Sequence, residues 1–122
     1  MDISLVPELM SICTLQDPHD APIDQPHTFL IMGKETATLV CPLDNVPDSC
    51  LVREDGWKCF TLEDSLYTCN AGGLGKVCML LDEAGIPIVV ESDGELDYIL
   101  LKEEHFTKAL YALEQNGFRI TQ

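Results

Sequence analysis

The stretch that most constrains this chain runs from Gly72-Gly73-Leu74-Gly75-Lys76-Val77-Cys78 to Ala84-Gly85-Ile86-Pro87-Ile88-Val89-Val90, a glycine-rich turn, a helix and a buried strand in immediate succession. Leu74, Val77, Cys78, Leu81 and Ala84 recur at steps of three and four and form one apolar stripe, the signature of a helix with one buried face. Gly85 suits the left-handed conformation that ends a helix, so the helix is expected to stop there. Beyond it Ile86, Ile88 and Val90 alternate with Pro87, Val89 and Glu91, which predicts a strand lying under the helix.

This unit resembles the ACT domain, a small ligand-sensing module of amino-acid metabolism. Gly72, Leu74, Val77, Ala84, Gly85, Ile86 and Ile88 match its glycine, leucine, valine and Ala-Gly-Ile pattern in register. The likeness continues through Leu96-Asp97-Tyr98-Ile99-Leu100-Leu101-Lys102-Glu103-Glu104, which is similar to small tandem-ACT proteins and to the ACT repeats of cytosolic arginine sensors. Cys69 stands where the family usually has an acidic residue, and Ala71 where proline is common.

Around the central unit the same reading yields further elements. Leu9, Ile12, Cys13 and Leu15 suggest a first strand over residues 8–15, stopped by prolines at 18, 22 and 26. Residues 29–32 and 36–41 flank Gly33-Lys34-Glu35 as a hairpin, and residues 46–53 hold at best a brief helix. Trp57-Lys58-Cys59-Phe60-Thr61-Leu62-Glu63 alternates as a strand. Ser92-Asp93-Gly94-Glu95 is a turn into a returning strand over 96–101. A second helix follows, with Phe106, Ala109, Leu110 and Leu113 as its stripe and Gly117 as its stop, and then a last strand over 118–120. From Trp57 onward the order is βαββαβ, so the expected fold is α+β and ferredoxin-like, with both helices on one sheet face.

The resemblance implies two tandem ACT-like units: a degenerate one in residues 1–56, where Val40-Cys41-Pro42 echoes the segment that precedes a tryptophan-led strand in the family, and an ACT domain in 57–122, which opens on that strand at Trp57. Apolar residues on both faces of the strand over 96–101 call for cover on the side away from the helices, by the N-terminal half, by a second chain, or by both. A homodimer is expected.

With 122 residues and 46% hydrophobic content the chain has room for one compact domain or two small ones sharing a core. No apolar run approaches the roughly 20 residues a membrane helix needs. The start, Met1-Asp2-Ile3-Ser4-Leu5-Val6-Pro7, lacks the basic and apolar parts of a secretory leader, so a cytoplasmic, membrane-free protein is expected. Seven basic against 21 acidic residues, a formal charge of −14, oppose a nucleic-acid partner. The six cysteines are spread without a two-residue spacing and read as free, packed thiols rather than metal ligands.

No catalytic constellation emerges. The serines lack a nucleophile-elbow pattern, and His19, His27 and His105 have no metal spacing. Asp93 and Asp97 could be paired carboxylates, but a hairpin turn asks for Asp-Gly in any case. No cofactor and no metal is expected. The glycine turn is the better candidate, because glycines at 72, 73 and 75 let backbone approach a ligand while the helix that follows turns unpaired N–H groups outward. By resemblance the ligand is an amino acid bound between paired modules, biasing an assembly that includes a regulated protein partner. The candidate binding residues are Asn70, Gly72, Gly73, Leu74 and Gly75 of the turn and helix start, Ser92 and Asp93 of the strand end, and Ile31 and Met32 from the other repeat. Two other readings stand beside it: a protein–protein interaction module without a small ligand, and a small enzyme using Cys69.

Overall fold

A computed structural model describes residues 2–63 and 73–121 of the chain. It is an α+β structure built of β1 (Asp2–Leu15), β2 (Phe29–Met32), β3 (Ala37–Pro42), β4 (Val52–Glu63), α1 (Gly73–Glu83), β5 (Val89–Ser92), β6 (Leu96–Lys102), α2 (Phe106–Glu114) and β7 (Arg119–Thr121). The chain divides into two compact units. The first joins Met1–Pro7 to Lys58–Gln122, and the second is Glu8–Trp57. Strands β1 and β4 run through both.

In the first unit the strands lie in the order β7, β1, β4, β6, β5. β5 and β6 form an antiparallel hairpin with Val90 opposite Ile99 and Ser92 opposite Asp97. The element order from Trp57 is the expected βαββαβ. The sheet differs from a plain ferredoxin-like one because the start of the chain enters it: Asp2, Ile3 and Ser4 pair in parallel with Arg119, Ile120 and Thr121. Arg119 donates from Nε and Nη2 to the two carboxylate oxygens of Asp2 at 2.9 and 3.1 Å. Thr121 Oγ1 donates to the Ile3 carbonyl at 3.1 Å. Ile3 is fully buried in the core of this unit.

That core is one cluster between sheet and helices. Phe60, Leu62, Ile99 and Leu101 come from the strands, Val77, Leu81, Ala109 and Leu113 from the helices, and Ile86 and Phe118 from the segments after them. Each such large apolar side chain contributes about 1.5–3 kcal/mol when removed from water. Both helices end alike. The Ile86 N–H donates to the Leu81 carbonyl at 2.9 Å and the Gly85 N–H to Asp82 at 3.0 Å, with Gly85 at φ 74°. Phe118 and Gly117 repeat this pattern on Leu113 and Glu114, with Gly117 at φ 92°. These are Schellman ends, sealed by Ile86 against Leu81 and Phe118 against Leu113 in the same core. Residues 103–105 form a 3-10 turn, and α2 begins at Phe106.

Lys76 reaches from α1 to the Asn116 carbonyl at 2.9 Å and lies over the Phe118 ring. Tyr98 and Leu100, on the sheet face away from the helices, are 4% and 0% exposed in the single chain. Their burial therefore does not itself require a second copy.

In the second unit β2 and β3 form the expected hairpin, Phe29 opposite Val40 and Met32 opposite Ala37, closed by the Gly33 N–H donating to the Thr36 carbonyl at 2.8 Å. β3 pairs antiparallel with β1, Cys13 opposite Leu39. Residues 46–53 are not a helix. A 3-10 turn at Leu43–Asn45 leads instead to an early start of β4 at Val52, because Leu51 already donates its N–H to the Thr14 carbonyl at 2.8 Å. Gly56, at φ 84°, lies inside that strand and takes a left-handed conformation open to glycine. The buried Ser11 hydroxyl donates to Asp55 Oδ1 at 2.7 Å, and Arg53 Nε donates to the same oxygen at 2.9 Å.

Candidate functional site

Gly73 is the first residue of α1 and is buried, Leu74 is half-buried against the core, and Gly75 is exposed with nothing within 4 Å of the place a Cβ would occupy. Asn70 and Gly72 lie outside the described residues, as does Cys69. Ser92 ends β5 and Asp93 opens the turn into β6, both exposed. Ile31 and Met32, 44% and 63% exposed, are in β2 of the second unit.

The β5–β6 turn is held by its own side chains. Asp93 Oδ1 accepts from the Glu95 and Leu96 N–H groups, both at 2.8 Å, and Ser92 Oγ donates to the Leu96 carbonyl at 3.2 Å while accepting from Gly94 N–H at 3.2 Å. Asp93 is also hydrogen-bonded with Tyr98. The backbone donors of Leu96 and then Glu95 hold the Asp93 carboxyl below its usual range, and burial, with Asp93 after it, pushes the Tyr98 phenol up. Much of the accepting capacity of this carboxylate is thus committed to the turn.

Strand alternation sorts the other acids. Asp97 shares a face with Ile99 and Leu101, which pack against the helices, and the half-buried Asp97 stands near Cys78 of α1 closely enough that its charge, after burial, pushes that thiol up. Glu91 sits opposite Tyr98 on the other face, where burial pushes its carboxyl up. Asp93 and Asp97 are therefore no acid–base pair of equals: one is tied into a turn, and the other faces a helix. Ser92 pairs with Asp97 and shares the face of Ile88 and Val90. Ser92 and Asp97 pair at the end of this hairpin, and Asp97 stands near Cys78, four residues along α1 from Leu74. In the sequence Asp97 is paired with Asp93 as a carboxylate and is not among the candidate binding residues, although its two-residue step from Ile99 already signals its face.

Among the described residues no three of His, Cys, Asp and Glu come together as metal ligands. No helix among them is long and apolar enough to cross a membrane.

No protein-family model matches the chain. No curated protein matches it either. Solved structures do. A structural-genomics protein from Agrobacterium tumefaciens superposes with a TM-score of 0.83 at 20% identity, over 98% of this chain and 91% of that one. A Vibrio cholerae protein of unknown function, described as a possible transport protein, gives 0.68 at 22% identity over 91% and 85%. The ligand-free regulatory subunit of aspartate kinase from Thermus thermophilus gives 0.62 at 9% identity over 93% and 95%. At these identities the likeness is one of fold alone: an ACT-like α+β architecture, shared with the regulatory subunit of aspartate kinase.

Proposed function

We propose that this chain is a non-catalytic regulatory protein of the ACT type that binds a free amino acid and passes its presence to an assembly by population shift. The observation that carries the reading is a fold likeness to an aspartate kinase regulatory subunit along nearly the whole of both chains, so the similarity is to a regulatory part and not to a kinase domain. It is joined by the sequence resemblance of residues 57–122 to an ACT domain of the kind repeated in arginine sensors, with residues 1–56 as a shortened second module.

In this proposal the ligand carboxylate meets the N–H groups of Gly73 and Leu74 at the start of α1, where the helix dipole favours negative charge. Gly75 and Ser92 are the other described candidates for this site, and Asn70 and Gly72 remain candidates from the sequence alone. The ammonium goes to Asp97, whose face and half-burial suit it better than Asp93, already engaged by Glu95, Leu96 and Tyr98. Ile31 and Met32 of β2 remain the candidates that the sequence offers from the other repeat. Assembly as a homodimer in the cytoplasm is part of the proposal, because a bound ligand shifts only an equilibrium between states of different affinity.

Thermal shift against a panel of free amino acids tests this. A ligand at about a hundredfold over its Kd stabilises by about 2.7 kcal/mol, a rise of roughly 10 °C for a domain of this size. No shift with any of them would favour an interaction module without a small ligand. That second reading has its own support in Ile23, Ile31, Met32, Leu51 and Val52, all large, apolar and exposed in residues 8–57. Light scattering at micromolar concentration checks the dimer, and a strict monomer removes it.

A further inference from the structure

Cys13, Cys41 and Cys50 belong to one apolar cluster of the second unit, together with Leu15, Ala37 and Leu39, and all three are free thiols. Cys13 stands opposite Leu39 and Ser11 opposite Cys41, so Cys13 and Cys41 are diagonal neighbours on one face of β1 and β3. Cys50 approaches Cys13 from the other side. The Leu51 N–H donates to the Thr14 carbonyl at 2.8 Å and Ser11 Oγ to the Glu54 carbonyl at 3.3 Å, an antiparallel course that brings residue 50 beside the level of Leu15, diagonal to Cys13.

The three thiols differ in access. Cys13 and Cys41 are 2% and 0% exposed, whereas Cys50 is only half-buried and sits outside any strand, between the 3-10 turn and β4, where its N–H donates to the Pro47 carbonyl at 3.2 Å. We propose that Cys50 and Cys13 form a dithiol switch, in which Cys50 is the entry thiol for a low-molecular-weight disulfide and Cys13 resolves the adduct into an intramolecular disulfide.

The electrons balance in two exchanges. The Cys50 thiolate attacks one sulfur of the small disulfide, forming a Cys50 mixed disulfide and releasing one small thiolate, which takes up a proton. The Cys13 thiolate then attacks Cys50 Sγ, forming the Cys13–Cys50 bond and releasing the second small thiol. The protein is oxidised by two electrons and the small disulfide is reduced to two thiols. Burial pushes the Cys13 thiol up as well, with Cys50 as the next cause, so resolution is slow; Cys41 competes less well because it lies on β3, on the side of Cys13 away from Cys50, and burial pushes its thiol further, to about 12. The bond would tie the end of β1 to the start of β4 and so close the segment that carries the β2–β3 hairpin.

Oxidised glutathione is the probe, applied to the folded full chain, followed by blocking of the remaining thiols, intact mass and peptide mapping. The wild type is expected to lose a pair of hydrogens and to yield a peptide linking Cys13 to Cys50, with little glutathione retained on Cys50. Cys13→Ala is expected to retain glutathione on Cys50 at roughly tenfold higher occupancy, and Cys41→Ala to behave as the wild type. Three results overturn the switch: a stable glutathione adduct on Cys50 in the wild type, a bridge from Cys50 to Cys41, or no modification of Cys50. If Cys13→Ala fails to fold by circular dichroism, the wild-type map decides alone, since the linked peptide and the retained adduct exclude each other.

Discussion

Asp93 and Leu96 exchange hydrogen bonds across the β5–β6 turn: the Leu96 N–H donates to Asp93 Oδ1 at 2.8 Å and the Asp93 N–H to the Leu96 carbonyl at 3.2 Å. With Glu95 donating to the same carboxylate oxygen, the side chain is part of the turn itself. Asp93→Ala should cost about 1 kcal/mol, below the roughly 1.5–3 kcal/mol of a charged hydrogen bond because the group is exposed and screened. The sign with pH follows from the depressed carboxyl, whose ordinary value is 3.8. Its stabilisation is complete above that value and is lost as pH falls through the lower folded-state value. Urea melts at neutral pH and in acid should therefore show the wild type and Asp93→Ala converging as the medium becomes acid.

The two Schellman ends give a second expectation. At Gly85, φ 74° would force a side chain into the left-handed region, and a β-branched one is strained there most. Gly85→Val should destabilise by about 1–2 kcal/mol or more, whereas Gly75→Ala, exposed in α1 with open space around it, should stabilise by about 0.5–1 kcal/mol. Equal losses in urea denaturation would contradict this reading of the helix ends.

These glycines also mark how far the fold was legible in the sequence. A helix stop needs only local pattern, so Gly85 and Gly117 announced α1 and α2, and Ser92-Asp93-Gly94-Glu95 announced the β5–β6 hairpin. The start of the chain was not legible in this way. Pro7 breaks the run that would have extended the first strand back to Asp2, and period-two alternation does not say which strand is a partner, so the pairing of Ile3 with Ile120 has no local signal. The strand expected from Trp57 begins earlier, at Val52, because Gly56, which by type reads as a strand boundary, is a left-handed residue inside β4. At the candidate site the alternation of Asp97 with Ile99 and Leu101 was readable, but the engagement of Asp93 by Tyr98 needed coordinates.

The start of the chain supplies a third expectation. Ile3 is fully buried among Phe60, Leu62, Leu101 and Phe118. Ile3→Ala should cost about 2–5 kcal/mol, the range for deleting a large aliphatic side chain from a packed core. Asp2→Asn removes only an exposed ion pair to Arg119 and should change little by comparison. A chain that tolerates Ile3→Ala in a urea melt as well as it tolerates Asp2→Asn would show that the first strand is dispensable to the core.

The last expectation separates ligand binding from folding at the proposed site. Gly73 is buried, so an aspartate there damages packing as well as binding and cannot tell the two apart. Gly75 is exposed, has open space where a side chain would begin, and lies in the first turn of α1. A negative charge in that turn interacts favourably with the helix dipole by about 0.3–1 kcal/mol, yet it repels a ligand carboxylate seated on the same N–H groups. Gly75→Asp should therefore raise the melting temperature while weakening amino-acid binding, two changes that a merely damaged fold cannot produce together. Asp97→Asn should weaken binding by about 1.5–3 kcal/mol if a charged hydrogen bond to the ammonium is lost, roughly a tenfold to hundredfold rise in Kd. Asp93→Asn keeps an oxygen acceptor for the Glu95 and Leu96 N–H groups and should change Kd much less. Calorimetry with the amino acid found by thermal shift, on all three variants, measures this division. Unchanged affinity in both Gly75→Asp and Asp97→Asn would move the site away from this end of the sheet while leaving amino-acid binding itself intact.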